Sequence, residues 1–471
     1  MGQEISSARF KHHDFHRFER LIEHEASVLH DWFEHRTFSE RRSIAGLELE
    51  AWLVADDGSP VPLNAELLQL VDSPEVVPEL SKFNIEFNAT PQPLSGIGIT
   101  RLESELTETW GNCDRLAGQL GASVVAIGTL PTIADEHLSL TNMSESPRYR
   151  ALNEQVLRLR QGRPIRMRIE GRERLETEHR DVMLEAGATS FQLHLQVPQD
   201  EAVRFYNASL ILSAPLAAIS ANSPWLFGRV LWEETRIPLF EQAVDVGGGT
   251  YSRVTFGSGY AGRSLEEFFL ENRTQYPVLL PLTMDDPSEH LAHLRLHNGT
   301  IWRWTRPLIG FDEDGRPHLR IEQRIMAAGP SLVDMAANMA FFYGLIEALA
   351  TNPVPPETQL PFALARDNFY AAAQGGLASQ IVWLDGRTIP VRDLILRQLL
   401  PLARCGLQRL HADPGESERL LGIIEARTEA GRNGAVWQRE FIEQHGRDLP
   451  QLTRVYRDRQ RAGHPVHSWE V

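Results

Sequence analysis

Four stretches of this chain alternate apolar and polar residues with a period of two, and each carries a residue able to ligate a metal ion at the centre of its polar side. The first is Gly46 to Val54, GLELEAWLV, in which Leu47, Leu49, Ala51 and Leu53 alternate with Glu48, Glu50 and Trp52. The others are centred on Glu86 (KFNIEFNA), on His194 between Gln192 and Gln196 (TSFQLHLQVP), and on Glu322 between Arg320 and Arg324 (PHLRIEQRIMA). Period-two alternation specifies a strand with one buried face, because successive side chains of an extended chain point to opposite sides. These stretches therefore predict an antiparallel sheet with an apolar side packed on a core and a polar side rich in acids.

The polar side has chemical consequences. Glu48 and Glu50 share one face of one strand, with Cα atoms roughly 6.6 Å apart. Carboxylates at that distance can each hold one of two metal ions about 3.5–4 Å apart. If the strands share a sheet, four carboxylates crowd together, and their repulsion must be relieved by cations or by protonation. Oxygen ligands with a single imidazole suit Mg²⁺, or Mn²⁺, better than zinc. The basic residues point to phosphate. Of the 47 lysines and arginines, only Lys11 and Lys82 are lysine, so a P-loop or Schiff-base lysine has almost nowhere to be. Phosphate would be held by arginine, metal or backbone amides. The residues alone thus read as a metal–nucleotide cleft built on an antiparallel sheet.

Between the strands the pattern changes to helical spacing. Helices are predicted near Phe15–Trp32, Leu102–Leu120, Ser144–Gly162, Glu201–Ile219 and Ser331–Ala350, and a buried strand over Ala122–Leu130. The first helix is histidine-rich but has no His-Glu-x-x-His motif, so its histidines read as a solvated face. Gly257, Gly259 and Gly262 spell the dinucleotide-type G-x-G-x-x-G, with Asp285 about twenty residues on. The flanking chain is not a run of βαβ units, and the glycine-rich stretch from Val246 to Gly262 reads instead as a loop covering an active site. Pro353-Val354-Pro355-Pro356 marks a linker, giving residues 1–350 as a catalytic domain and 351–471 as a helical C-terminal extension packed on it.

Composition narrows the setting. No uninterrupted apolar run reaches 18 residues, the N-terminus lacks the apolar core of a signal peptide, and the Met-Gly-x-x-x-Ser start stands without a second lipidation signal. Two cysteines, Cys113 and Cys405, argue against a disulfide framework and for a reducing cytoplasm. A net charge of −16 argues against nucleic acid or an anionic membrane as partner.

Taken in order, GLELEAWL, the Glu86 segment ending at Thr90-Pro91, the His194 strand, ISANSPW followed by Arg236, WRWTRP and RIEQRI make the chain resemble the second glutamate–cysteine ligase family, in the glutamine synthetase superfamily. The resemblance covers most of Gly46 to Leu349. It implies an α+β fold, a curved antiparallel sheet with helices on its outer face. It also implies transfer of the γ-phosphoryl of ATP to a carboxylate, with glutamate's the default, and displacement of phosphate by an amine such as cysteine, as in glutathione biosynthesis. Carried over to this chain, Glu50 and Glu86 would hold one Mg²⁺, and Glu48, His194 and Glu322 the other. Arg324 would neutralise the transferred phosphoryl, Arg236 would hold phosphate or substrate carboxylate, and Arg306 would be a second clamp. Gln192 and His194 would lie beside the nucleotide. Glu79, seven residues before Glu86, matches a place where the family often has another acid, but its odd spacing places it on the opposite strand face. The partners implied are small molecules, with a homo-oligomer left open. A metal-dependent amide hydrolase using the same acids and a nucleotide-binding regulatory protein without turnover are the rival readings.

Overall fold

The computed structural model describes residues 10–247 and 252–471. Its centre is an eight-stranded antiparallel sheet, curled into a half-barrel. The strands are β1 (Ile44–Val54), β2 (Val76–Pro78), β3 (Asn84–Asn88), β4 (Gln92–Pro93), β5 (Ser123–Val125), β6 (Phe191–Val197), β7 (Thr305–Phe311) and β8 (Pro317–Gln323). The order across the sheet is β7-β8-β6-β1-β3-β2, with β4 and β5 also paired to β1. All four alternating stretches thus lie in one sheet, and β1 is its hub.

The helices that matter for the site are α1 (His12–His35), α2 (Gly98–Gln119), α3 (Pro147–Leu159), α4 (Gln199–Ser220), α5 (Arg236–Ala243), α6 (Leu332–Ala350), α7 (Leu400–Arg409) and α8 (Pro414–Ala430). Leu47, Leu49, Ala51 and Leu53 turn to the core side of β1, where each is at most 2% exposed. Burying a side chain of this size contributes roughly 1.5–3 kcal/mol, which sets which face of the strand turns inward. Helices α2, α4 and α6 cover that side. Tyr343 of α6 ties helix to sheet, its hydroxyl donating to the carbonyls of Gly46 (3.1 Å) and His194 (3.2 Å).

Helices α4 and α6 are apolar enough over 18 residues to pass for membrane spans by length and composition, although neither has an unbroken apolar run. Eighty-nine per cent of each such window is buried inside the protein, because other elements surround both helices. On α1 the expected histidine face is exposed, while Phe18, Ile22, Leu29 and Phe33 are buried together with one acid, Glu25. Glu25 accepts from the backbone amide of Leu294 at 2.7 Å and pairs with His293, so its charge is satisfied inside.

The chain after Pro353 joins the same hydrophobic core. Helix α7 crosses α6 where Gly344 meets Gly406, and a Cβ on Gly406 would overlap the Gly344 carbonyl. Arg427 of α8, fully buried, donates to Asp334 Oδ1 and Asn338 Oδ1 of α6, each at 2.7 Å. Tyr456, on the helix Leu449–Ala462 that periodicity did not single out, donates to the Ala126 carbonyl at 2.9 Å. The segment predicted as a strand over Ala122–Leu130 is regular only at Ser123–Val125.

The glycine-rich stretch differs from expectation. Residues 248–251 lie outside the described residues. The G-x-G-x-x-G part is pinned down, with the Ala261 amide donating to Asn207 of α4 (2.8 Å) and the Tyr260 hydroxyl to the Leu360 carbonyl (2.9 Å). Among the described residues, Val254–Thr255 form only a two-residue parallel pair with Trp302–Arg303, apart from the main sheet, and not the multi-stranded parallel sheet of a dinucleotide fold.

Candidate active site

Cross-strand register decides which polar residues meet. Glu50 stands opposite Glu86 across β1 and β3. On the other side of β1, Gly46 stands opposite His194, which in turn stands opposite Glu322 of β8. Glu48, two residues from Gly46 on the same face, reaches the same spot. Two triads result, Glu48–His194–Glu322 and Glu50–Glu79–Glu86, and within each the three ligand atoms lie within 4.8 Å of one another.

Glu79 is where the parity argument fails. Seven residues separate it from Glu86, but they are not one strand. Glu79 follows β2, the chain turns back at Ser81 to Asn84 (Asn84 amide to Ser81 carbonyl, 3.1 Å), and β2 then pairs with β3, with Val77 opposite Glu86. Alternation holds only within an uninterrupted strand, and the turn brings Glu79 to the acid side.

The triads differ in electrostatics. In the first, Arg306 of β7 grips Glu322 with two hydrogen bonds, Nε to Oε2 at 2.7 Å and Nη2 to Oε1 at 2.9 Å, and Arg324 Nη1 adds a third contact at 3.2 Å. Burial alone would raise the Glu322 carboxyl; the two guanidiniums outweigh it and hold it down to about 2. In the second triad burial dominates. It pushes Glu50, Glu79 and Glu86 above the usual carboxylate range, and for Glu79 the neighbouring Glu86 and Glu50 charges push further. A site that favours protonated carboxyls when empty is one a cation would relieve.

His194 fits a ligand role on its own evidence. It is 5% exposed, its Nε2 lies 3.3 Å from Glu48 Oε1 and 4.0 Å from Glu322 Oε1, and neither ring nitrogen has a hydrogen-bond partner among the described residues. With Glu48 as its near neighbour and no hydrogen bond of good geometry on either nitrogen, this buried imidazole has ligating capacity left over for an ion. The donor set of five carboxylates and one imidazole suits two hard divalent cations.

Gln192, Arg236 and Arg306, also expected at the site, lie beside the triads or the recess behind Glu50. Gln192 bridges the triads: its amide donates to Glu50 Oε1 at 2.9 Å and its oxygen accepts from Arg324. The Ser190 amide fixes the other Glu50 oxygen at 2.7 Å. Arg236, at the start of α5 and 2% exposed, is largely committed within the protein: Nε donates to Glu234 at 3.1 Å and Nη2 to the carbonyls of Arg324 and Ile325. It therefore fixes the backbone beneath Arg324 and stacks on Trp304, 5.3 Å from the ring centroid. Arg320 completes the arginine face of β8 and was not singled out from sequence beyond its flanking of Glu322. Its Nε is buried with no partner among the described residues.

The five carboxylates, Gln192, Arg306, Arg320 and Arg324 line a cavity of about 340 Å³, within the range of small-molecule sites. One end carries the acids and Arg306, Arg320 and Arg324; Leu280, Leu296, Leu308, Ile309 and Trp302 give the cleft an apolar wall. A smaller recess of about 50 Å³, lined by Thr189, Ser190, Arg236, Phe240 and Trp304, opens behind Glu50. No described residue of the stretch from Val246 to Gly262 lines either space. Glu185 and Arg148 line the cleft as well. Neither is marked by strand periodicity, since Glu185 sits in a single 3₁₀ turn (Met183–Gly187) and Arg148 in the first turn of α3.

Solved structures with this fold include a glutamate–cysteine ligase from Francisella tularensis in complex with AMP, with a TM-score of 0.54 and 10% identity over 92% of this chain and 91% of that one. Another is a bifunctional glutathione synthetase from Pasteurella multocida, with a TM-score of 0.57 and 13% identity over 92% of this chain and 55% of that one. No curated protein matches the chain in sequence. The fold and the family to which it points are those of carboxylate–amine ligases. The model of glutamate–cysteine ligase family 2 matches residues 44–458, and the chain belongs to that family. The match runs well past Pro353, so most of the C-terminal helices lie within the family's shared length.

Proposed function

We propose that this protein uses ATP to join a carboxylate to an amine through an acyl phosphate, with the γ-carboxylate of glutamate as the activated group and cysteine or another amine as acceptor. The observation that carries the reading is the pair of ligand triads, each within 4.8 Å, set on one sheet face with Arg306, Arg320 and Arg324. Membership of the family and the nucleotide complex of the Francisella ligase support ATP as the phosphoryl donor.

Glu48, His194 and Glu322 would hold one Mg²⁺ or Mn²⁺, and Glu50, Glu79 and Glu86 the other. Divalent ions held by these residues would supply positive charge to offset that of the phosphoryl group during its transfer. Arg324, anchored by Glu322 and Gln192, would neutralise the phosphoryl group in transit. The substrate carboxylate oxygen attacks the γ-phosphorus and ADP leaves. The amine nitrogen then attacks the acyl carbon, phosphate leaves, and the nitrogen gives up a proton. Arg236 acts one step back, through the carbonyls of Arg324 and Ile325, and keeps that backbone in place.

The test is phosphate release from Mg-ATP with glutamate, screened against cysteine and a panel of other amines. Release that requires both a carboxylate and an amine is the expected result. Amide hydrolysis without nucleotide would replace this reading with that of a hydrolase.

A further inference from the structure

Glu185 and Arg148 stand on the wall of the cleft and take no part in either triad. Glu185 Oε2 is buried with no hydrogen-bond partner among the described residues. The residue lines both the large cleft and the recess behind Glu50, so it stands where the two meet. Arg148 lines the large cleft, forms no ion pair with any described carboxylate, and lies over the ring of Tyr149 at 5.7 Å. The two are held by one support. Arg148 is on α3, and Asn153 of the same helix accepts from the Val182 amide at 3.1 Å, which sets the turn carrying Glu185.

We propose that Glu185 and Arg148 are the specificity-determining pair that receives the α-ammonium and the α-carboxylate of a free amino-acid substrate. The inference rests on the ligase reading above and adds to it the residues that select the substrate's far end. A carboxylate to be phosphorylated must lie at the triads, beside Arg324. An amino dicarboxylic acid bound that way has two further charges to place, and Glu185 and Arg148 offer an acid and a base on neighbouring elements of the cleft wall, away from Arg320, which stands beside the triads on β8. Burial pushes Glu185 up to about 7, with Arg148 pulling against it. An ammonium group docked there would restore the charged form and remove the cost of a buried polar atom without a partner. A peptide-linked or N-acylated glutamate has no such ammonium and would leave Glu185 unsatisfied. Sites built to bond a polar group discriminate strongly against analogues that lack it.

The experiment traps the acyl phosphate with hydroxylamine, so that no particular acceptor is assumed, and measures hydroxamate formed with Mg-ATP from glutamate, aspartate, glutarate (no α-ammonium) and 4-aminobutyrate (no α-carboxylate). In the wild-type protein the better amino dicarboxylate should exceed glutarate in kcat/KM by at least about 100-fold. Glu185→Gln should lose most of that preference through a raised KM for the amino dicarboxylate, with a smaller effect on glutarate, and Arg148→Met should likewise erode the preference for glutamate over 4-aminobutyrate. Thermal unfolding of both variants checks that they fold, and Arg148, partly exposed at a helix start, gives an independent reading if Glu185→Gln does not. Equal use of glutarate and glutamate by the wild type, or an equal loss on both substrates in Glu185→Gln, would overturn the pair and leave the ligase standing. No hydroxamate from any of the four carboxylates would overturn the ligase reading and this inference with it.

Discussion

Arg306 and Glu322 face each other across β7 and β8, and both oxygens of the carboxylate are held by the one guanidinium, at 2.7 and 2.9 Å. With Arg324 on its other side, Glu322 is an acid kept ionised although it is 1% exposed. The contrast with Glu50, Glu79 and Glu86, where burial raises the carboxyls, divides the two halves of the cleft.

Glu322→Gln removes the charge and keeps the shape. The expected result is a loss of at least about 100-fold in phosphate release, the scale of losing one preorganised electrostatic group. The cost in stability should be about 1–3 kcal/mol, because Gln can still accept from one guanidinium while part of the buried charge goes unpaired. Activity assays with urea unfolding check both. Turnover at the wild-type rate would remove Glu322 from the site.

Divalent-ion binding should be pH-linked. Glu50, Glu79 and Glu86 have raised pKa values when no ion is bound, so an ion entering that triad must displace protons. Mn²⁺ titrated into the nucleotide-free protein should bind more tightly as pH rises from 6 to 8, with proton release detectable by calorimetry in buffers of different ionisation enthalpy. Glu86→Gln should lose one Mn²⁺ equivalent and Glu48→Gln the other. Retention of two equivalents by both variants would show that the triads are not the ion sites.

Glu241 gives a pH signature of stability outside the triads. Burial pushes its carboxyl up to about 7, although the Trp304 indole (2.9 Å) and the Tyr370 hydroxyl (2.7 Å) both donate to it and pull it down. Because the folded form holds its proton more tightly than the unfolded chain, its contribution is fully present below about pH 4.5 and is lost as pH rises through about 7. Glu241→Gln keeps an acceptor for both donors and cannot ionise. Relative to wild type it should gain stability between pH 5 and 7, by up to ~1.4 kcal/mol per pH unit. Parallel pH–stability curves for the two proteins would contradict this.

The crossing of α6 and α7 is set by two glycines. A Cβ on Gly344 would press on the Ala403 carbonyl, and one on Gly406 on the Gly344 carbonyl, both backbone groups that cannot rotate away. Gly344→Ala and Gly406→Ala should each cost about 1–3 kcal/mol or more in urea unfolding, as overpacked cores do. Neither glycine lines the cleft, so residual activity per folded molecule should be close to normal.

Much of the site was legible in the order of residues along the chain. Alternation in β1, β3, β6 and β8 puts Glu48, Glu50, Glu86, His194, Glu322 and Arg324 on polar strand faces, because extended backbone fixes side-chain direction at every second residue. Scarcity of lysine directs attention to arginine and metal. These are local properties, and local properties can be read from sequence.

What the tertiary structure decided is which of these faces meet and what each polar atom is used for. Register places His194 between Glu48 and Glu322, and strand pairing is a long-range choice that no single strand records. The turn between β2 and β3 cancels the parity that set Glu79 apart. Arg236 has the composition of an anion clamp, yet Glu234 and two carbonyls take up much of its hydrogen-bonding capacity, since a buried guanidinium must satisfy its donors wherever the fold supplies acceptors. Glu185 and Arg148 show the same limit from the other side. An acid in one helical turn and a base at a helix start carry no periodic signal, and only the packing of α3 against that turn makes them neighbours in the cleft.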